Sequence, residues 1–132
     1  MINNMTLDRS VTATSGGNGI SNIISSQFCT LSNLVVQNQY VGVALGPTGY
    51  SYVGNVISQK NQSHGFLINN TAASGACQWS FSNCLAAQNG GDGFHISSAN
   101  TGPSAMALGE LLNCATFANT GIGVAAIGVS GS

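Results

Sequence analysis

Polar and apolar residues recur along this chain as a block, seen most fully between Trp79 and Ser98. Trp79 and Phe81 alternate with Ser80 and Ser82, the period of a half-buried strand. Cys84 and Ala86 alternate likewise, but the phase breaks at Asn83. A strand changes face only by bending, and asparagine tolerates the left-handed backbone that a one-residue bend requires, so Asn83 is read as a corner. The Asn-Gly-Gly-Asp run ending at Asp92 is a second turn, and Phe94 with Ile96 opens a third strand facing inward. From Ser97 to about Met106 the chain is polar and irregular, which makes it the third connection.

The same plan surrounds Asn55, with Val53, Val56, Asn61, Gly65, Phe66 and Ile68, and Asn113, with Leu111, Cys114, Asn119, Gly123, Val124 and Ala126. Asn33 fits with one residue deleted, giving Leu31, Leu34, Gln39, Gly42, Val43 and Leu45. Ile2, Asn4, Met5 and Leu7 can be laid on the inward and corner positions of a first copy. Three short strands and three turns per repeat, with matched inward residues, describe one coil of a parallel β-helix. The expected fold is all-β, a single-stranded parallel β-helix of about five coils, roughly 24 Å long at the usual strand spacing. Residues 1–127 are read as that domain, with the register of 1–30 the least defined, and 128–132 as a flexible tail. Three stacked sheets are expected, one on each side of the coil.

The spacing N-x5-N-x3-G-[FV]-x-[IA] over Leu31 to Ile127 resembles the right-handed β-helix repeat of the pectate-lyase-like superfamily, which includes polysaccharide lyases, hydrolases and phage tailspikes. The resemblance implies a right-handed solenoid, bacterial surface polysaccharide as partner, a homotrimer, and a place on a virion tail or outside the cell. It does not choose an activity, because one scaffold carries several.

Composition narrows the classes. Charged residues make up 4% of the chain, against ~25% in ordinary domains. Stacked repeats place equivalent side chains one strand spacing apart, where repeated charge would repel and uncharged polar residues do not. With Arg9 and Lys60 the only permanent cations and a net charge of -1, the chain has no basic stripe for nucleic acid. No apolar run reaches the length of a membrane span, and the first residues lack the pattern of a signal peptide. Neither end reads as a cap, so the chain is expected to be part of a longer solenoid.

The corner asparagines Asn33, Asn55, Asn83 and Asn113 are expected to stack as a structural ladder. Asn61, Asn89 and Asn119, at the other turn, are read with Tyr52 as groups able to meet sugar hydroxyls and rings. Cys84 and Cys114 occupy matched inward positions and are read as free thiols filling a small core slot; the cysteine spacings do not resemble a zinc motif. No metal site and no cofactor are expected.

The chain's acids are Asp8, Asp92 and Glu110. Glycoside hydrolysis by the common route needs two carboxyl groups about 5 to 10 Å apart. Asp92 and Glu110 fall on different faces, so a pair within this chain is not expected. His64 and Asp92 hold equivalent positions, each directly before the glycine of the third strand, and His95 follows on the outer side. A lyase needs a base and a group to neutralise a carboxylate, roles open to Lys60, His64 or His95. The leading expectation is a β-helix segment of a phage tailspike or tail fibre that binds polysaccharide. The alternative is a polysaccharide lyase or hydrolase using Asp92, His64, His95 and Glu110, with the site on the outer sheet face or at a subunit interface. An ice-binding solenoid would need a regular threonine array, and the threonines are scattered.

Overall fold

The computed structural model describes residues 2–8, 16–22, 28–46, 50–70, 77–98 and 107–127. The expected tail at 128–132, most of the long turn after Asp8 and most of the third connections lie outside the described residues. Among the described residues all regular structure is strand: β1 (Ile2–Leu7), β2 (Ile20–Asn22), β3 (Phe28–Gln37), β4 (Val43–Leu45), β5 (Tyr50–Gln59), β6 (Phe66–Asn70), β7 (Cys77–Ser82), β8 (Leu85–Ala87), β9 (Phe94–Ser98), β10 (Ala107–Leu112), β11 (Ala115–Phe117) and β12 (Val124–Ile127). No helix among them is long and apolar enough to cross a membrane.

Every pairing is parallel, and the strands form two sheets. The larger runs β1-β3-β5-β7-β10, with β8 and β11 continuing it, and the smaller runs β2-β4-β6-β9-β12. Two of the three expected sheets are therefore one. In β3 and β5 the strand continues past the asparagine corner, and only the Asn33–Asn55 pair is missing from their register. At Asn83 and Asn113 the same bend separates β7 from β8 and β10 from β11.

The bend is local backbone chemistry. Asn4, Asn33, Asn55, Asn83 and Asn113 have φ of 54, 53, 53, 54 and 50°, in the left-handed region that asparagine tolerates. A second column in the same conformation comprises Asn38, Lys60, Gln88 and Ala118 (φ 58, 54, 56 and 52°), one residue before the turn amides Gln39, Asn61, Asn89 and Asn119.

The core lies between the sheets and is built of columns. Val43, Phe66 and Phe94 are buried register partners in succession, as are Leu45, Ile68 and Ile96; Val124 and Ala126 continue both columns in register but are exposed. The Phe66 and Phe94 rings stack at 4.6 Å and 9°, and Phe81 meets both edge-on, at 5.3 and 5.5 Å. Trp79 joins through Phe81 at 5.7 Å, as its alternation with Phe81 implied. Cys84 is a buried free thiol whose pKa burial pushes up to about 12, so it packs as a small apolar group rather than as a nucleophile.

The repeat glycine is fixed by close approach. A Cβ on Gly65 would stand 2.8 Å from the Gly93 carbonyl oxygen and 2.7 Å from Asn89 Nδ2. Gly19, Gly42 and Gly93 meet the next repeat's glycine carbonyl in the same way. We expect Gly65→Ala to cost about 1–3 kcal/mol in urea unfolding, because backbone and a buried amide must move. Gly54→Ala should cost less, since the nearest atoms to its Cβ would be the hydroxyl end of the Tyr52 ring, which can swing away.

Candidate functional site

Two surfaces collect the chain's chemistry. The first is the turn before β6 and β9, where successive repeats place His64 and Asp92 one above the other. The Asp92 backbone N–H donates to His64 Nδ1 at 3.0 Å, and the Ile122 N–H donates to Asp92 Oδ1 at 2.7 Å. Each side chain thus accepts an N–H from the equivalent residue of the next repeat. Glycine before that residue makes the contact possible: a Cβ on Gly91 would stand 2.9 Å from His64 Nδ1, and one on Gly121 would collide with Asp92 Oδ1.

His95, on β9, folds back onto this column. Its Nδ1 lies 2.6 Å from Asp92 Oδ2, and its ring stacks on His64 with centroids 4.3 Å apart. His64 Nδ1 is also 3.7 Å from Asp92 Oδ2, and the side chains of His64, His95 and Asp92 keep 23%, 18% and 16% exposure. Burial and the neighbouring His95 lower the His64 pKa below 6.5, outweighing the pull of Asp92 in the other direction. For Asp92 burial acts upward, but the His95 hydrogen bond, the Ile122 N–H and the histidine charges together bring its pKa below 3.8.

These states fix the protons. Asp92 is an ionised acceptor, so His95 donates Nδ1–H to it; His64 accepts at Nδ1 and carries its proton on Nε2. The arrangement brings three donor atoms together where they could meet a cation.

Both shifts act in one direction on stability. The unfolded chain takes up the His64 proton first as pH falls below 6.5, and stability declines until the lower folded pKa is passed. The Asp92 contribution is present above 3.8 and is lost as pH falls through its depressed folded pKa. Thermal melts should therefore show a lower Tm at pH 5 than at pH 7, and His64→Gln should shrink that difference.

The second surface is the outer face of the larger sheet. Thr30, Tyr52, Ser80 and Glu110 are register partners across β3, β5, β7 and β10. Ser80 Oγ donates to Glu110 Oε1 at 2.9 Å. Beside them lies an open groove of about 370 Å³ lined by Tyr50, Gln78, Trp79, Ser80, Gly109 and Glu110. Tyr50 is 39% and Phe28 77% exposed, with ring centroids 6.4 Å apart. Tyr52 is half-buried and lies along the strand over Gly54.

His64, Asp92 and His95, three of the four residues of the enzyme alternative, are thus in contact. Glu110 stands apart on the larger sheet, bonded to Ser80. The third acid, Asp8, accepts hydrogen bonds from Gln37 and Asn38 at 2.9 and 2.7 Å.

The buried amide ladder is built by the set read as able to meet sugar hydroxyls. Asn61 and Asn89 are 2% and 1% exposed, and Asn119 is half-buried. Asn61 Nδ2 donates to Asn89 Oδ1 and Asn89 Nδ2 to Asn119 Oδ1, both at 2.9 Å, while Asn119 Nδ2 donates to the Ala86 carbonyl. Asn61 and Asn89 therefore spend their amides inside the fold, which removes them as sugar-binding groups. The corner residues Asn33, Asn55, Asn83 and Asn113 are exposed, with Asn55 Nδ2 donating to Asn33 Oδ1 at 3.1 Å.

Gln78, Ser80 and Gly109 line the groove and Phe28 stands against Tyr50 at its side, none of them a site residue by sequence pattern alone. Carrying the repeat register back to the start of each strand would have aligned Phe28 with Tyr50 and Ser80 with Tyr52. Comparison with family models, curated proteins and solved structures finds no match to this chain.

Proposed function

We propose that this chain is a segment of a right-handed parallel β-helix that binds an extended polysaccharide along the outer face of β5, β7 and β10. The observation that carries the reading is the groove in which aromatic Tyr50 stands beside the amide of Gln78, the hydroxyl of Ser80 and the carboxylate of Glu110. Sugar rings offer apolar faces to aromatic side chains and hydroxyls to fixed polar groups, and this groove supplies both in one concave surface. Phe28 and Tyr52 extend the aromatic surface to either side. The low charge suits a ligand held by stacking and hydrogen bonds. In this reading the segment belongs to a tailspike-like or tail-fibre-like homotrimer on a virion tail or outside the cell, in which bacterial surface glycan is the ligand.

Calorimetric titration with a panel of bacterial surface polysaccharides tests the groove. Tyr50→Ala and Glu110→Gln should each weaken binding at least tenfold with Tm unchanged. Binding that survives both substitutions, or a panel without a binder, would overturn the reading. Light scattering tests the trimer separately.

A further inference from the structure

We propose that His64, Asp92 and His95 form a binding site for one divalent transition-metal ion of the zinc, cobalt, nickel and copper class. The site is distinct from the groove and independent of the sugar-binding reading. Each residue offers one ligand atom, and the three atoms lie within 4.8 Å of one another. Two imidazoles with one carboxylate favour borderline transition ions over calcium or magnesium, which take oxygen-rich shells.

The spacing fits such an ion. Ligand atoms bound at about 2 Å with tetrahedral angles stand about 3.3 Å apart. The observed separations from Asp92 Oδ2, 3.7 Å to His64 Nδ1 and 2.6 Å to His95 Nδ1, bracket that value. Modest side-chain rotation about one carboxylate oxygen would equalise them.

The cluster is also held in place before any ion arrives. The Ile122 N–H fixes Asp92 Oδ1 and leaves Oδ2 facing the histidines, and the ring stack fixes both imidazoles against each other. His64 already carries its proton on Nε2, so its Nδ1 lone pair needs only to exchange the Asp92 N–H for the ion. At His95 the ion takes Nδ1 in place of its proton, which passes to Nε2 or to solvent. No electron is transferred. Three protein ligands with partial exposure leave the remaining coordination positions to water, the pattern of an open metal site.

The test is calorimetric titration of the chelator-treated chain with zinc chloride, together with the visible spectrum of the cobalt-loaded chain. One ion per chain should bind, zinc should raise Tm progressively, with the logarithm of its concentration above Kd, and calcium should not. The cobalt spectrum should lack a thiolate charge-transfer band, because no cysteine takes part. His64→Ala and His95→Ala should each weaken zinc binding at least tenfold, and His95→Gln provides a second variant if alanine disturbs folding. No binding at about 1 mM zinc, at the weak limit of specific association, a thiolate band, or unchanged affinity in the folded variants would overturn the proposal.

Discussion

Replacing Asn89 with alanine should shift the urea unfolding midpoint further than any other single polar substitution among the described residues. Asn89 Oδ1 accepts from the Asn61 backbone N–H at 3.1 Å and from Asn61 Nδ2 at 2.9 Å. Its Nδ2 donates to the Ser58 carbonyl at 3.1 Å and to Asn119 Oδ1 at 2.9 Å. Truncation removes all four bonds in a place that water does not reach, since Asn89 is 1% exposed. An orphaned buried polar group costs about 1–3 kcal/mol, so two or three together approach ~4 kcal/mol or more. That is a large part of the ~5–15 kcal/mol that holds a domain folded. Asn89→Asp keeps the acceptors and loses the donor, and should fall between alanine and the native residue. An alanine variant within about 1 kcal/mol of the native chain would mean the amide column contributes little.

The second large effect is expected at Phe94. Its ring is fully buried, stacked on Phe66 and crossed by Phe81, so Phe94→Ala leaves a cavity between the two sheets. A cost of about 3–5 kcal/mol is expected, with some of it recovered in Phe94→Leu. Phe117 is the internal control: it is 66% exposed on β11, and its alanine variant should stay within about 0.5 kcal/mol. Equal losses at Phe94 and Phe117 in chemical denaturation would contradict the burial that separates them.

What could be read from the sequence follows from what spacing encodes. The columns of Phe66, Phe94 and Val124 and the bends at Asn33, Asn55, Asn83 and Asn113 depend on residue type at a fixed offset, and all are present in the structure. The merging of two expected sheets depends on whether hydrogen bonding survives a bend, which residue type does not state. The second left-handed column was hidden because Asn38, Lys60, Gln88 and Ala118 share no chemistry.

Side-chain direction was the main loss. Asn61 and Asn89 sit at a turn, where polar residues ordinarily face water, yet the cross-repeat amide bonds draw them inside. His64 and Asp92 were legible as neighbours because they hold equivalent positions. The return of His95 onto Asp92 was not, since it depends on a side-chain rotation rather than on a register. Glu110 was correctly placed away from Asp92, but its bond to Ser80 required the exact pairing of β7 with β10.

The central claim is that equivalent residues of successive repeats stand in register across parallel strands. Nuclear Overhauser spectroscopy on the chain with labelled phenylalanine rings and valine methyl groups tests it most directly. Cross-peaks are predicted between Phe66 and Phe94, from Phe81 to both, from Val43 to Phe66 and from Phe94 to Val124. A well-dispersed spectrum in which Phe66 and Phe94 share no cross-peak would contradict the account.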